Sequence, residues 1–151
     1  MRVQTSTLIG KPPAVLWPLL CASKMEVRRP WLFWFGIPKP VECRLPKGHG
    51  GVGQRRECVS DRGLIQQRIT HWEAPQCLRF EMESTTVYFR PCVAGIAEEF
   101  VLATVGANAT RITRTTRIEI IGPGRWLKAA LMWLGTKGVH RYVFLNWARH
   151  P

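Results

Sequence analysis

Polar and apolar residues alternate with period two over 3–9, where Val3, Thr5, Thr7 and Ile9 stand against Gln4, Ser6 and Leu8. This predicts a strand that Gly10 ends. Pro12 and Pro13 then suit a helix start, and Val15, Leu16, Leu19 and Leu20 supply a short apolar face that Pro18 limits or kinks. Within 23–40, the aromatic run Trp31-Leu32-Phe33-Trp34-Phe35 is bracketed by Pro30, Pro38 and Pro40. It reads as a second short helix followed by a loop.

From residue 41 the turn signals become regular. Strands are predicted over 41–45, 52–60, 64–72, 77–85, 95–105 and 109–121, separated by turns at 46–51, 61–63, 73–76 and 106–108. Such spacing describes an antiparallel meander. Gly122-Pro123-Gly124 breaks the last strand, and 125–147 switches to steps of three and four through Leu127, Leu131, Leu134, Gly138, Tyr142 and Leu145. That stripe predicts a helix of about six turns lying across the sheet. A second edge (Trp126, Trp133, His140, Phe144 and Trp147) falls roughly 100–150° away. It is either covered by a strongly curved sheet or exposed as a partner surface, with a homodimer contact and an anionic membrane as the candidates.

The chain has 151 residues, 46% of them hydrophobic, and carries 22 Lys+Arg against 10 Asp+Glu for a net charge of +12. That size fits one domain, 1–151, and the apolar content excludes wholesale disorder. The charge points to anionic surroundings and is silent on fold. The Arg and Lys residues are scattered along every strand with no nucleic-acid reading motif, so nucleic acid is not an expected partner. Cys21, Cys43, Cys58, Cys77 and Cys92 are dispersed without a CxxC, which argues against a disulfide framework and a structural zinc site. The N-terminus lacks the apolar core of a signal peptide, and no apolar stretch approaches the ~18 residues needed to cross a bilayer. A reduced cytoplasm is the default expectation.

Several segments carry a resemblance to a known family. They are 10–20 (GKPPAVLWPLL), 50–57 (GGVGQRRE), Gly63-Leu64-Ile65, 69–75 (ITHWEAP), Leu78-Arg79-Phe80 and 110–116 (TRITRTT). With the order β-α-α-β-β-β-β-β-β-α, the chain resembles the START-like, or SRPBCC, superfamily, and within it the polyketide cyclase/dehydrase-type branch. The resemblance implies an α+β helix-grip (Bet v 1-like) fold, with a curved antiparallel sheet of about seven strands around a long C-terminal helix. It also implies an apolar cavity between sheet and helix. Suitable lining comes from Leu78, Phe80 and Met82 on one strand, from Glu98 and Phe100 on the next, and from Ile112, Thr116, Ile118 and Ile120 on the last. Leu131, Leu134, Gly138 and Tyr142 would contribute from the helix. The same residues could instead fill a solid core, and a measured volume decides between the two.

Phasing the last strand by its apolar members puts Ile112, Arg114, Thr116, Ile118 and Ile120 on one face, so Arg114 points into the concave side. A buried guanidinium needs a carboxylate, carbonyls or an anionic ligand, and Glu57 and Glu98 are the protein candidates. His71 and His140 occupy elements that flank a cavity and are candidate acids or bases, together with Arg114 and Glu57. Period two cannot say which face of 64–72, the face of Ile65, Gln67, Ile69 and His71 or that of Thr70 and Trp72, turns inward. The glycines at 48–53 sit between strands, so they read as a hairpin and not as a phosphate loop. No short His, Asp or Cys ligand spacing exists, and neither a metal nor a cofactor is expected.

Two functions follow as expectations. The first is binding of a hydrophobic small molecule (polyketide-like, aromatic or lipid) with an acidic or carbonyl oxygen facing Arg114. Acid–base chemistry of an aldol cyclisation or dehydration would be its enzymatic extension. The second is a basic peripheral interaction protein at an anionic membrane or protein surface, without catalysis.

Overall fold

The computed structural model describes residues 1–46 and 49–150. In chain order it contains β1 (Arg2–Ile9), α1 (Pro13–Cys21), β2 (Ser23–Lys24), a 3₁₀ turn (Trp31–Phe35), β3 (Pro40–Arg44), β4 (Arg55–Ser60), β5 (Gly63–Glu73) and β6 (Cys77–Thr85). A short 3₁₀ turn (Arg90–Cys92), β7 (Val93–Val105), β8 (Ala109–Ile120) and α2 (Arg125–Arg149) follow. The strands form one antiparallel sheet in the order β1-β8-β7-β6-β5-β4-β3-β2. Consecutive strands pair from β2 to β8, and β1 closes the far edge against β8 with Val3 opposite Thr116. The long α2 packs on β1 and β8.

The sheet has eight strands where seven were expected. The extra one, β2, is two residues long and too short to show a period. The expected second helix is a five-residue 3₁₀ turn. β4 starts at Arg55 and not at residue 52, because Gln54 N–H bonds back to Gly51 and closes a turn first. Lys47 and Gly48 of the expected 46–51 turn lie outside the described residues. At the next turn Gly63 takes a φ of 143°, a region that an L side chain rarely adopts.

α2 corrects the stripe reading. Leu127, Leu131, Leu134 and Leu145 are half or more exposed, whereas Gly135, His140, Tyr142, Val143, Phe144 and Trp147 are buried. The gripped face therefore lies between the two predicted edges, and only the C-terminal half is held. Trp147 Nε1 donates to Ser23 Oγ at 3.3 Å, the Tyr142 hydroxyl donates to the Glu26 carbonyl, and Glu26 N–H donates to Asn146 Oδ1. Lys11 Nζ donates to the Trp147 carbonyl at 3.0 Å and to the His150 carbonyl, placing a cation at the negative end of the helix. Phe144 and Trp147 join Phe33, Leu78, Phe80, Phe100 and Ile112 in one continuous core. Of the expected second edge, His140, Phe144 and Trp147 are thus core, while Trp126 stays 78% exposed.

The glycines inside α2 serve two ends. A Cβ at Gly138 would collide with the Leu32 side chain, so the 3₁₀ turn rests directly on the helix backbone. Gly135 instead borders open space described below, with Ile37 at ordinary contact distance.

Cys43 and Cys58 stand opposite each other on β3 and β4 and form a disulfide. This corrects the expectation, drawn from the dispersed spacing, of no disulfide framework: strand register brings the pair together whatever the spacing along the chain. Cys21, Cys77 and Cys92 are free thiols. Burial pushes the Cys21 thiol up to about 11. Thiol titration of the unreduced, unfolded chain is expected to count three groups and not five. In the native protein Cys77 and Cys92 should react well before Cys21. Reducing the bridge, which closes a 15-residue separation, should lower stability by about 3 kcal/mol in denaturant melts.

Candidate functional site

The inner faces of β3, β4, β5, β7 and β8 curve toward α2 but do not fill the space beneath its N-terminal half. A cavity of about 580 Å³ remains, within the ~300–1,000 Å³ usual for small-molecule sites. Apolar side chains dominate its wall, among them Met25, Ile37, Val59, Ile65, Phe89 and Ile96. Of the residues anticipated at the site, Glu98, Phe100, Arg114, Thr116, Ile118, Leu131 and Leu134 line it. The others lie elsewhere. Leu78, Phe80 and Ile112 are sealed in the core, Met82 borders a shallow depression with Gly95 and Arg117, Tyr142 packs edge-on to Phe33, and Gly138 meets Leu32.

Arg114 faces the cavity, as the strand phasing requires. Its guanidinium makes a forked pair with Glu98, Nη2 donating to Oε2 at 2.7 Å and to Oε1 at 2.9 Å, and Nε donating to Oε2 at 3.0 Å. Both side chains are nearly buried, and Arg114 also stands 5.1 Å over the Phe100 ring. The alternative partner Glu57 lies on the opposite face of β4, paired with Arg44 at 2.9 Å.

The residue that sequence reading missed is Arg56. It neighbours Glu57 in sequence and so takes the inward face of β4, where it is 3% exposed and lines the cavity. Nη1 donates to Gln67 Oε1 at 2.6 Å and Nη2 to the Leu20 carbonyl at 2.8 Å, while the guanidinium stacks 4.5 Å over Phe80. Among the described residues no carboxylate pairs with it, and its buried Nε has no hydrogen-bond partner there. Desolvation lowers its pKa to about 10, with Glu98 opposing the shift, so it remains a cation at neutral pH. Among the described residues the cavity wall therefore holds two guanidinium groups and the Lys128 ammonium against one carboxylate, Glu98. The signal was available: a strand starting at Arg55 puts residues 56 and 58 on the same side as the inward Gln67 across β5.

Neither histidine reaches the cavity wall. A β-bulge lies between Ile69 and His71, where Ile69 pairs with Phe80 and His71 with Arg79. The extra residue reverses the alternation, so Ile65, Gln67 and Ile69 turn inward but Trp72, not His71, continues that face. Trp72 meets Trp17 edge-on at 5.1 Å, and His71 lies near Glu73 in solvent. His140 is fully buried between Thr116 Oγ1 at 2.8 Å and Thr5 Oγ1 at 3.0 Å. One ring nitrogen donates and the other accepts, so the neutral ring is satisfied and clamps α2 to β1 and β8. Desolvation, reinforced by Arg114 and Lys137, lowers its pKa to about 2. It is a structural group with no proton to offer near neutrality.

This has a consequence for acid stability. The unfolded chain takes up a proton on residue 140 below its ordinary value near 6.5, and the folded chain refuses it. Stability is therefore complete above that pH and falls as pH drops, by up to about 1.4 kcal/mol per unit for this one group. His140→Gln should lower stability near neutrality but flatten the slope, as read from urea midpoints at about pH 7.5 and about pH 5. An unchanged slope would mean that other groups govern the acid transition.

No family model and no curated protein matches the sequence. Solved structures do match along nearly its full length. The Zhui aromatase/cyclase from Streptomyces sp. R1128 superposes with a TM-score of 0.64 at 15% identity, covering 99% of this chain and 94% of that one. A START superfamily protein from Mycobacterium smegmatis gives 0.57 at 10% identity, covering 95% and 98%. The ginseng major latex-like protein 151 from Panax ginseng gives 0.59 at 14% identity, covering 95% and 94%. At these identities the likeness concerns architecture, and a curved antiparallel sheet gripping a long C-terminal helix around a cavity is the START/SRPBCC-like fold.

Proposed function

We propose that the protein binds a hydrophobic small molecule carrying an anionic or strongly polarised oxygen, held in the cavity with that oxygen at Arg56 and Arg114. One observation carries this reading: a largely apolar cavity whose wall buries an arginine that, among the described residues, has no carboxylate partner and an unsatisfied Nε. A buried cation in that state is offset by an anion or left at a desolvation penalty of several kcal/mol. A carboxylate, enolate or phenolate would complete the charge balance, while the apolar wall takes a polyketide-like, aromatic or fatty-acyl body. The likeness to an aromatase/cyclase and to a START superfamily protein supports the class without choosing the ligand.

Catalysis, in the form of an aldol cyclisation or dehydration, would extend this reading. The cavity wall offers Glu98 as its carboxylate, already held by three hydrogen bonds from Arg114, and no histidine. The arrangement favours binding and polarising an oxygen over shuttling protons. A reduced cytoplasm is the setting expected from the cysteine spacing, and the Cys43–Cys58 bridge speaks against it, since structural disulfides are rare there. Thiol counting in freshly lysed cells decides between the two. No helix among the described residues is long and apolar enough to cross a membrane.

The test compares a long-chain or polycyclic carboxylic acid with its methyl ester by calorimetry. Arg56→Met and Arg114→Met are each expected to weaken the acid by about 1.5–3 kcal/mol, the scale of a hydrogen bond to a charged group, and to leave the ester nearly unchanged. Arg56→Lys, which keeps the charge but loses the fork, should fall between. Equal losses for acid and ester, or no binding of either by the wild type, would reject the proposal.

A further inference from the structure

Three segments border the opening of the cavity: the 3₁₀ turn with the residues after it, the stretch before β7, and the N-terminal half of α2. Phe35, Tyr88, Leu131 and Leu134 belong to the cavity lining, and all four are more than 60% exposed. A 3₁₀ turn has three residues per revolution. Trp31 and Trp34 therefore stack on one side, 73% and 74% exposed, while Phe33 points the other way into the core at 0%. The turn is held in place. Leu32 seats on Gly138, the Tyr88 hydroxyl donates to the Gly36 carbonyl at 2.9 Å, and Trp31 meets Phe35 edge-on. These exposed rings are a fixed surface with no covering element among the described residues, and a contiguous apolar patch of this kind marks an interaction site.

The charges on the same three segments share one sign. Residues 27–37, 86–92 and 121–139 contain Arg28, Arg29, Arg90, Arg125, Lys128 and Lys137 and not one Asp or Glu. Arg29 is engaged by Asp61, and Lys137 donates to the Gln4 carbonyl. Arg28, Arg90, Arg125 and Lys128 take part in no salt bridge among the described residues. A second copy of this chain docked through the same face would bring like charges together with nothing to neutralise them. An interface of hydrocarbon bordered by phosphates answers both features at once.

Resting on the ligand-binding reading above, we propose that this rim docks onto an anionic lipid bilayer. Trp31, Trp34 and Phe35, with Leu131 and Leu134 across the opening, enter the boundary between headgroups and acyl chains. Arg28, Arg90, Arg125 and Lys128 meet lipid phosphates. Docked this way, the cavity opens toward the phase in which a molecule suited to its apolar wall would be dissolved, and the ligand need not cross water.

The experiment is co-sedimentation of the full chain with phosphatidylcholine vesicles and with vesicles of equimolar phosphatidylcholine and phosphatidylglycerol. Binding of anilinonaphthalene sulfonate in vesicle-free solution serves as an independent measure of the cavity. Wild type should partition onto the anionic vesicles about tenfold more strongly than onto neutral ones, and lose that preference as salt screens the surface. The double variant Trp31→Gln, Trp34→Gln alters neither core nor cavity lining. It should lose about tenfold in vesicle binding while its dye binding stays the same. Arg28→Glu with Arg90→Glu should abolish the preference for anionic lipid. The proposal is overturned if wild type binds neither vesicle, if the Trp double variant binds as well as wild type, or if the rim instead holds a second copy or an acidic protein without affinity for vesicles. Dye binding without vesicle binding leaves the cavity reading standing and removes this one, and vesicle binding without dye binding does the reverse.

Discussion

The molecule turns on how α2 is held. Its C-terminal half carries the residues that satisfy the curved sheet: His140 clamped between two threonines, Phe144 and Trp147 in the aromatic core, and a carbonyl end bound by Lys11. Its N-terminal half carries no equivalent grip, since Leu127, Leu131 and Leu134 remain at least half exposed. Fixing one half of a rigid rod of about seven turns fixes the direction of the other. The free half overhangs the sheet at a distance that side chains from the strands do not span. The cavity is the space so defined. Its enclosure and the exposure of its rim are therefore one structural fact with two faces.

Electrostatics inside that space are unusual for so apolar a wall. Moving a guanidinium from water into a poorly polarisable interior carries a penalty of several kcal/mol, which a forked carboxylate repays in large part and isolated carbonyls repay less well. Arg114 has the fork from Glu98, whereas Arg56 has an amide oxygen, a backbone carbonyl and the face of Phe80. Stacking on an aromatic ring suits the flat, weakly hydrated guanidinium better than it would suit an ammonium group. The two buried guanidinium groups share one anion, and the low-dielectric walls focus the residual positive potential into the cavity. A net positive surface adds to the same field at longer range, but only the buried pair has geometry that can discriminate one oxygen from another.

Much of this architecture was legible from period and punctuation, and the failures have identifiable causes. The last strand alternates without interruption, so Arg114 could be placed on the concave side from Ile112 and Ile118 alone. β5 alternates too, but a bulge after Ile69 reverses its phase, and nothing in the local sequence marks it; His71 changes face as a result. Arg56 is not legible in the same way, because a strand begun at residue 52 has no pairing against which to set its phase, whereas the observed start at Arg55 places Arg56 opposite the inward Gln67. On α2 the leucine stripe was real but described the half facing the opening. Helical periodicity detects an apolar face and cannot tell a buried face from one that borders a cavity. The Cys43–Cys58 pair shows the same limit, since contact across strands depends on register and not on spacing along the chain.

The two glycines of α2 connect these observations. Each lowers helix propensity by about 1 kcal/mol relative to alanine, an expense that no exposed helix surface would explain. At 138 the missing side chain lets Leu32 rest against the backbone, which carries the 3₁₀ turn, and with it Trp31, Trp34 and Phe35, close to the helix. At 135, one turn earlier, the missing side chain leaves volume in the cavity wall next to Ile37. A larger residue at the first position would lift the aromatic turn away from the opening, and one at the second would narrow the space behind it. The width of the cavity and the height of its rim are thus set by adjacent turns of one helix, which couples what the cavity can hold to what the rim can touch.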